Sequence, residues 1–316
     1  MAVQKCAVYR DENGRPSFLM AAFAGKAPAL HPTWSPAAVK LARQLDLPMA
    51  ARGPIAYQYG FIENYIPNNS RLMPPGVSAE LSRLGDLAAP GRTDAYARQA
   101  LMELLVDLSW NSSRLEGNHY SYHSAEELLN GGDVRCDADT VMLLNHKAAV
   151  EYLVDSVPKE GLCSVVVRNL HAVLMRDLVT DSGTLGAIRQ GPPGIAGTLY
   201  SPIQEPDVIE AMLECIVAKA TRIENPVEAA LFLWIQLAYL QPFESGNELT
   251  SRLAANIPLL LHNCAPVTFQ DVTRDDYALA MLAVYELRDA MLAAELLSWT
   301  YQRSTTNGAA ARGSGG

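Results

Sequence analysis

The segment 241–252, which reads QPFESGNELTSR, carries the residue types with the most chemical potential in this chain. A proline begins the loop, Gly246 and Asn247 end it, and Arg252 follows within what reads as a new helix. The first backbone N–H groups of a helix have no partner inside that helix, so such a junction is suited to anion binding. The pattern therefore predicts a phosphate- or carboxylate-binding loop that contains Gly246, Asn247 and Arg252.

Two glutamates could add acid–base chemistry to this loop. Glu248 follows the Gly-Asn pair directly, and Glu116 ends the run SSRLE at 112–116. A carboxyl group whose pKa is raised by burial can exchange protons near neutral pH. If Glu248 and Glu116 face one pocket, they form an acid/base pair beside Asn247 and Arg252, and Glu248 would also suit an amine-bearing small molecule.

The composition limits the classes of function that this loop can serve. The chain has 316 residues, 49% of them hydrophobic, so it can bury a substantial core. Its net charge of -9 argues against a general nucleic-acid binder, which needs a basic surface. Five widely spaced cysteines indicate reduced thiols in a cytoplasmic protein. No apolar run reaches the roughly 20 residues needed to span a membrane.

Helical spacing of apolar residues predicts the elements that must position the loop. Asn225 followed by Pro226 predicts a helix start, and the apolar run behind it predicts a buried central helix that ends just before the loop. Pro258 is expected to bend or shorten one of the later helices. The predicted helices cover 95–110, 139–156, 164–179, 205–222, 226–240, 249–262, 275–286 and 289–302.

The remaining segments predict irregular structure. Asn13-Gly14 between two apolar runs predicts a β-hairpin near the N-terminus. Recurrent prolines over the first 90 residues indicate a wrapping arm or a small extension, and glycines and prolines at 183–202 indicate a flap or loop. The flap around 191–200 either holds a partner strand by edge pairing or is a plain surface loop. The chain end is rich in glycine, alanine and serine, which predicts a flexible tail.

Several segments besides the loop carry a family resemblance. They read SSRLEGN at 112–118, NHKA at 145–148, HAVLM at 171–175, GAIR at 186–189, GTLYSP at 197–202, YEL at 285–287 and WTYQRS at 299–304. With these segments the chain resembles the Fic (Fido) family, whose members typically transfer AMP from ATP to a protein hydroxyl. The family's loop reads His-Pro-Phe-x-(Asp/Glu)-Gly-Asn-(Gly/Lys)-Arg-x-x-Arg.

The resemblance implies a mostly α fold with a Fic-type helical core and a short β-hairpin flap. It implies an N-terminal extension or arm at 1–92, a Fic-like helical domain at 93–303 and a flexible tail at 304–316. Gly197, Thr198 and Tyr200 lie in the flap, which docks target peptides in the family. Glu116 matches the family's inhibitory glutamate and Arg252 its second loop arginine, so we expect an inhibitory Glu116–Arg252 ion pair.

The loop departs from the family motif at the positions that carry its chemistry. Gln241 replaces the histidine base, and an amide cannot take up a proton near pH 7. A positioned base contributes about 10²–10⁴-fold to a rate. Ser245 replaces the carboxylate that holds Mg²⁺, Glu248 adds a negative charge, and Leu249 replaces the first arginine. We therefore expect no cofactor, with ATP and Mg²⁺ needed only if some transfer activity persists.

Three functions, besides a helix junction kept only for folding, stay open on the sequence. The favoured one is a Fic-fold pseudoenzyme or binding protein. The first alternative is a repurposed enzyme for a non-standard, small-molecule substrate, with Gln241, Glu248 and Glu116 as its altered catalytic residues. The second alternative is weak AMP transfer to a protein hydroxyl. The partner would be a protein or a small molecule at the flap and pocket, and homodimerisation stays open.

The histidines add little to these alternatives. His119 and His123 are four residues apart, which is a spacing for a metal pair, but the residues between them look extended and no third ligand is evident. We therefore predict no metal site. His146, His171 and His262 are interpreted as structural.

Overall fold

Helices form most of the regular structure in the computed structural model of this chain, which confirms the mostly α prediction. The structure describes residues 9–10, 16–17, 32, 34–87 and 95–313. Its α-helices are α1 (Pro36–Ala42), α2 (Met49–Arg52), α3 (Gly60–Glu63), α4 (Pro75–Gly85), α5 (Ala95–Glu103), α6 (Leu105–Leu115), α7 (Tyr122–Leu129), α8 (Ala138–Glu160), α9 (Ser164–Met175), α10 (Pro206–Arg222), α11 (Pro226–Leu240), α12 (Asn247–Ala254), α13 (Asn256–Leu261), α14 (Arg274–Leu282) and α15 (Met291–Gly313).

Helix α11 is the centre of the core, as its sequence predicts. The Asn225 side chain caps its start by accepting from the backbone N–H groups of Val227 and Glu228. Every side chain from Val227 to Leu240 is buried. Helices α10, α12 and α13 pack around it, so the loop that leaves α11 starts from a rigid position.

The segments before α5 pack on this core. Glu228 of α11 accepts hydrogen bonds from the Tyr65 hydroxyl at 3.0 Å and from the Leu72 backbone N–H at 2.6 Å. Lys219 of α10 donates to the carbonyls of Glu63 and Tyr65. The predicted boundary at 92 falls between residues 87 and 95, outside the described residues.

Two predicted helices are split in the structure. The predicted helix 95–110 consists of α5 and α6, which meet at Leu104. The predicted helix 249–262 consists of α12 and α13, which meet at Ala255. Pro258 has no N–H to donate to the carbonyl of Ala254, four residues earlier, and this accounts for the second break.

Two other segments are more helical than their sequences indicate. Helix α7 begins one residue after Ser121, whose side chain accepts from the Ser124 N–H, although the sequence there looks extended. Helix α15 continues to Gly313 and so enters the predicted tail at 304–316. The alanines at 309–311 favour helix over a flexible chain. Residues 314–316 lie outside the described part.

The strands form two very short pairs. β1 (Tyr9–Arg10) pairs antiparallel with β2 (Pro16–Ser17), as the hairpin prediction requires, while the turn between them lies outside the described residues. β3 (Ile55–Ala56) pairs parallel with β4 (Tyr200–Ser201). The flap strand β4 therefore pairs with the N-terminal extension, and the predicted hairpin within the flap is not what the described residues form.

Two further features bear on the site. A π-helical turn (Ala283–Leu287) follows α14 and packs against α11. No helix among the described residues combines the length and apolar character that crossing a bilayer would require.

Candidate functional site

The loop between α11 and α12 is shaped by two left-handed residues. Gln241 ends α11 with φ 52° and ψ 60°, and Gly246 precedes α12 with φ 67°. The Asn247 side chain closes the loop, because its Oδ1 accepts from the Phe243 N–H at 2.9 Å and its Nδ2 donates to the Phe243 carbonyl at 2.7 Å. The amide of Asn247 is thereby engaged within the loop itself.

Gly246 is required here by space as well as by conformation. A Cβ atom at this position would lie 2.3 Å from Sδ of Met175, at the end of α9. Its positive φ is a conformation that side-chain-bearing residues rarely adopt. The Gly-Asn pair therefore fixes the path of the loop against α9.

Two buried side chains from other segments, Arg189 and His171, bind the loop. Arg189 Nε donates to the Gln241 carbonyl at 2.6 Å, and its Nη2 donates to the Ile203 carbonyl. The His171 ring stacks on Phe243 at 3.9 Å, accepts from the Gly186 N–H at Nδ1 and donates from Nε2 to the Ser245 carbonyl. Burial lowers the pKa of His171 to about 4. These contacts agree with its interpretation as a structural residue.

Gln241 stands where the family has its base, and its side chain points into the protein. The residue is 4% exposed. Its Nε2 donates to the Ala238 carbonyl at 2.8 Å and to the Tyr285 hydroxyl at 3.3 Å. The amide therefore serves as a cap for the end of α11 and as a donor to a tyrosine.

Glu248 faces inward, toward the same tyrosine. The Tyr285 hydroxyl donates to Glu248 Oε1 at 3.0 Å. Burial raises the pKa of the Glu248 carboxyl, the charge of Glu116 raises it further, and Arg252 and the Tyr285 hydroxyl oppose the rise. The charge of Glu116 therefore acts on Glu248, so the two glutamates named from the sequence interact electrostatically.

Arg252 is buried and binds neighbours within the fold through Nε and Nη2, while its Nη1 has no hydrogen-bond partner. Its side chain is 1% exposed, and Nη2 lies 2.5 Å from Oε1 of Glu116, whose side chain is 27% exposed. Nε donates to Ser112 Oγ at 3.0 Å and Nη2 also donates to the Ser112 carbonyl at 3.1 Å. The guanidinium lies 4.8 Å from the ring centre of Tyr277. The predicted ion pair is present, and its inhibitory role stays a prediction.

The other altered positions divide between surface and core. Glu244 and Ser245 are exposed on the loop. Leu249 is 2% exposed and packs in the hydrophobic core, so the family's first arginine is replaced by a core side chain. Its apolar side chain cannot contact a phosphate by hydrogen bonding.

The flap residues are tied to the extension and to the π-helical turn. Thr198 Oγ1 donates to Glu286 Oε1 at 2.7 Å, and Arg52 of α2 donates from Nη2 to the Gly197 carbonyl at 2.9 Å. Arg52 Nη1 also lies 2.5 Å from Glu286 Oε1. Tyr200 stacks on Tyr285 at 5.4 Å and 5°.

Other histidines do not build a metal centre in the described part of the chain. His119 pairs with Asp139 at 2.9 Å, and His123 lies near Glu126 and Glu127 on α7. Among the described residues, no group of three or more His, Cys, Asp or Glu side chains is arranged to hold a metal ion.

The sequence does not indicate which residues surround the loop. Tyr285 and Glu286 appear in a segment that carries the resemblance, yet nothing in their spacing indicates contact with Glu248 or with the flap. Arg189 likewise stands in a resembling segment without an assigned role. No pattern in the sequence indicates a role for Arg52, because its partner Glu286 lies 234 positions away in the chain.

Comparisons with known proteins identify a family segment and the fold. Residues 161–259 match the model of the Fic/DOC family. A fragment of Fic-1 from C. elegans shares 19% identity and a TM-score of 0.62, covering 76% of this chain and 73% of its own. A Fic family protein from Desulfovibrio desulfuricans G20 shares 19% identity and a TM-score of 0.61, with 78% of each chain covered.

A Fic-domain signaling protein from Bacteroides thetaiotaomicron shares 21% identity and a TM-score of 0.58, covering 75% of this chain and 96% of its own. No curated protein matches the chain in sequence. The chain therefore contains a Fic/DOC family segment at residues 161–259 within a Fic-type helical fold.

Proposed function

We propose that this chain is a Fic-fold pseudoenzyme that binds a protein partner through its flap and does not transfer AMP. The observation that carries the proposal is the state of Arg252. This arginine is buried and bound to Glu116, Ser112 and the ring of Tyr277. Its Nη1 has no hydrogen-bond partner but is buried, so the guanidinium is not accessible to a phosphate in solution while Glu116 covers it.

The altered base position supports the same proposal. The Gln241 side chain is buried and donates to the Ala238 carbonyl and to the Tyr285 hydroxyl. An amide has no proton-accepting capacity near neutral pH. A hydroxyl brought to this loop would therefore meet no base at Gln241, at a cost of about 10²–10⁴-fold in rate.

The charges at the loop do not fit a Mg²⁺-bound triphosphate. Glu248 and Glu116 flank Arg252, and Ser245 has no carboxylate for the metal. A carboxylate and a phosphate oxygen about 4 Å apart, each with one negative charge, repel by roughly 4 kcal/mol at an effective dielectric constant near 20. We therefore derive no step through ATP or Mg²⁺ for this site.

A second candidate is an enzyme that uses Glu248 for proton transfer, and one observation favours it. The raised pKa of a glutamate that is hydrogen-bonded to Tyr285 and coupled to Glu116 is typical of acid–base sites. In this candidate Glu248 holds the proton, Tyr285 orients its carboxyl group, and Arg252 fixes Glu116. A Glu248 pKa near its ordinary value in the folded protein would eliminate this candidate.

Transfer of label from ATP tests the first proposal. The purified chain and its Glu116→Gly variant would be incubated with α-labelled ATP and Mg²⁺, with an AMP-transferring Fic protein as positive control. We expect no labelled protein from either form, because removing Glu116 restores neither a base nor a metal carboxylate. Label on any protein with either form would contradict the proposal and support weak AMP transfer instead.

A further inference from the structure

We propose that residues 52–58, here called the strap, occupy the flap edge at which an extended segment of a protein partner binds, and that the partner's segment binds by displacing the strap. This inference rests on the proposed function, because it takes the flap as the partner-binding surface. It adds what now covers that surface and which side chains the partner must carry.

The backbone of the strap is bound to the flap as an added strand. The Ile55 N–H donates to the Leu199 carbonyl at 3.2 Å, and the Tyr57 N–H donates to the Ser201 carbonyl at 3.0 Å. The register pairs Ile55 with Tyr200 in parallel. Strand addition to an exposed edge is a general way to bind an extended peptide. A pair this short is weak alone, so side chains must hold the strap.

A basic residue supplies the first of these side-chain contacts. The guanidinium of Arg52 bridges the flap carbonyl of Gly197 and the carboxylate of Glu286. The Glu286 side chain is 3% exposed and also accepts from Thr198. A buried carboxylate needs a cationic partner, so the flap selects an arginine or a lysine at this position.

Two apolar residues supply the other contacts. Ile55 is half-buried and packs against the core. Tyr57 is buried and stacks on Tyr239 at 4.9 Å and 28°, whereas Ala56 between them is exposed. The strap therefore reads as a basic residue, then an aliphatic residue three positions later and an aromatic residue two positions after that. A partner segment with this spacing, running parallel to β4, fits the same edge.

The surroundings of the strap favour exchange. The strap begins at Arg52, the last residue of α2, which is a single helical turn, and the next residue, Gly53, has a positive φ of 75° with open space where a Cβ would lie. A cavity of about 500 Å³ adjoins the strap and is lined by Leu45, Leu47, Ile55, Glu286 and Arg288, among others. Its lining is mixed, with Gln44 and Gln58 beside the leucines, so it leaves room for a side chain longer than Ile55.

A labelled peptide with the sequence of residues 50–59, AARGPIAYQY, probes the edge by fluorescence anisotropy. Arg52→Ala in the protein weakens the strap but leaves Glu286 and Thr198 in place. Apparent affinity scales with the fraction of protein whose edge is free, so this variant should bind the peptide about 10-fold more tightly than the unaltered chain. Arg43→Ala, at an exposed arginine just after α1, is the matched control and should change nothing.

A second peptide identifies the contact that is exchanged. Replacing the arginine of the peptide by alanine should weaken binding to the Arg52→Ala protein by about 10-fold, because Glu286 then stays unpaired. Equal binding of both peptides would overturn the assigned role of Glu286. Equal binding of the first peptide to the unaltered and Arg52→Ala proteins would overturn the strap itself.

A cross-link keeps the test valid if Arg52→Ala perturbs folding. Cysteines at Ala56 and Ser201, which are paired and exposed, would join strap and flap in an Arg52→Ala protein that also carries Cys136→Ser. Oxidation should abolish peptide binding and reduction should restore it. Unchanged binding after oxidation would contradict the proposal.

The outcomes separate this inference from the proposed function. The peptide assay contains no nucleotide. Label transfer from ATP would therefore contradict the pseudoenzyme proposal without contradicting the displacement of the strap. A folded Arg52→Ala protein that binds no peptide, in a chain without AMP transfer, would overturn the strap alone. If that variant forms a dimer that the peptide dissociates, the occupant is a second copy, which contradicts a separate partner protein.

Discussion

Arg252 and Glu116 are 136 positions apart in the chain, yet Nη2 of the arginine lies 2.5 Å from Oε1 of the glutamate. The arginine is buried and the glutamate is partly exposed, so the pair closes one side of the α11–α12 loop. Arg252 also bonds to Ser112 on α6, which joins the loop's helix to the helix that carries Glu116. The pair therefore links the C-terminal end of α6 to α12. It also covers Arg252, the loop residue that matches the second arginine of the Fic motif.

Loss of Glu116 should destabilise the fold. We expect Glu116→Gln to lower the free energy of unfolding by about 2 kcal/mol, since removing one partner leaves a buried arginine without its carboxylate, and the partial exposure of Glu116 reduces the cost. Urea unfolding measures this change. Glu80→Gln, at an exposed glutamate on α4, is the control and should stay within about 0.5 kcal/mol. Equal effects of both variants would contradict a stabilising pair.

Gly246 should tolerate no side chain. We expect Gly246→Ala to lower the free energy of unfolding by about 2–3 kcal/mol, because the new Cβ meets Met175 and φ is positive. Gly194→Ala has open space and serves as the control, with an expected change below about 0.5 kcal/mol. Thermal and urea unfolding check both variants. A Gly246→Ala protein as stable as the control would show that the loop can shift away from α9.

The Tyr285 hydroxyl should control the titration of Glu248. Its hydrogen bond favours the ionised carboxylate, so Tyr285→Phe should raise the Glu248 pKa further. Carbon-detected NMR of the glutamate carboxyl groups, assigned with Glu248→Gln, follows this titration. Tyr152→Phe removes a buried hydroxyl that has no hydrogen-bond partner and is the control. An unchanged or lowered pKa in Tyr285→Phe would refute the hydrogen bond.

Acid should weaken the fold through two histidines. Burial lowers the pKa of His146 to about 3, with Arg252 contributing, and that of His171 to about 4. The unfolded chain binds these protons near pH 6.5, so it holds more protons than the folded chain as pH falls from 6.5 toward 4. Above pH 6.5 these neutral histidines leave the free energy of unfolding at its full value. At pH 5 each histidine lowers that free energy by about 2 kcal/mol.

Unfolding in urea at pH 7.5 and pH 5 measures this loss, and His171→Asn isolates one histidine. Asparagine keeps an acceptor for the Gly186 N–H but does not titrate, so the variant should lose stability over this range less steeply, by about 2 kcal/mol. Glu228 and Glu248 have raised pKa values and act in the opposite direction, because their contribution is lost as pH rises. Both are present in each protein, so they cancel in the comparison. Identical pH profiles would show that His171 titrates normally.

Local sequence signals account for the framework of the site. The Asn225–Pro226 start and the apolar run behind it predict α11 to the residue, because cap and burial act within one helix. The Gly-Asn pair predicts a loop before α12, and the resemblance to the Fic family supplies the Glu116–Arg252 pair. Each of these depends on short-range pattern or on a known motif.

The contacts that the sequence does not predict join residues that are far apart in the chain. Glu248 and Tyr285 meet because a π-helical turn follows α14, and no periodicity in the sequence announces that turn. The sequence predicts a hairpin within the flap, but the flap strand pairs with Ile55–Ala56, because Arg52 and Tyr57 add contacts that only the folded core provides. A two-residue strand has too little pattern to be recognised in advance.

Calorimetric titration of ATP, with and without Mg²⁺, into the Glu116→Gly protein asks whether any nucleotide site remains at the α11–α12 loop. This variant removes the carboxylate that covers Arg252, so it gives a surviving nucleotide site its best chance to bind. We expect no binding heat, because Ser245, Glu248 and Leu249 still oppose a metal-bound triphosphate. Binding in Glu116→Gly that disappears when Arg252→Ala is added would contradict the pseudoenzyme proposal and show that a phosphate site survives behind the ion pair.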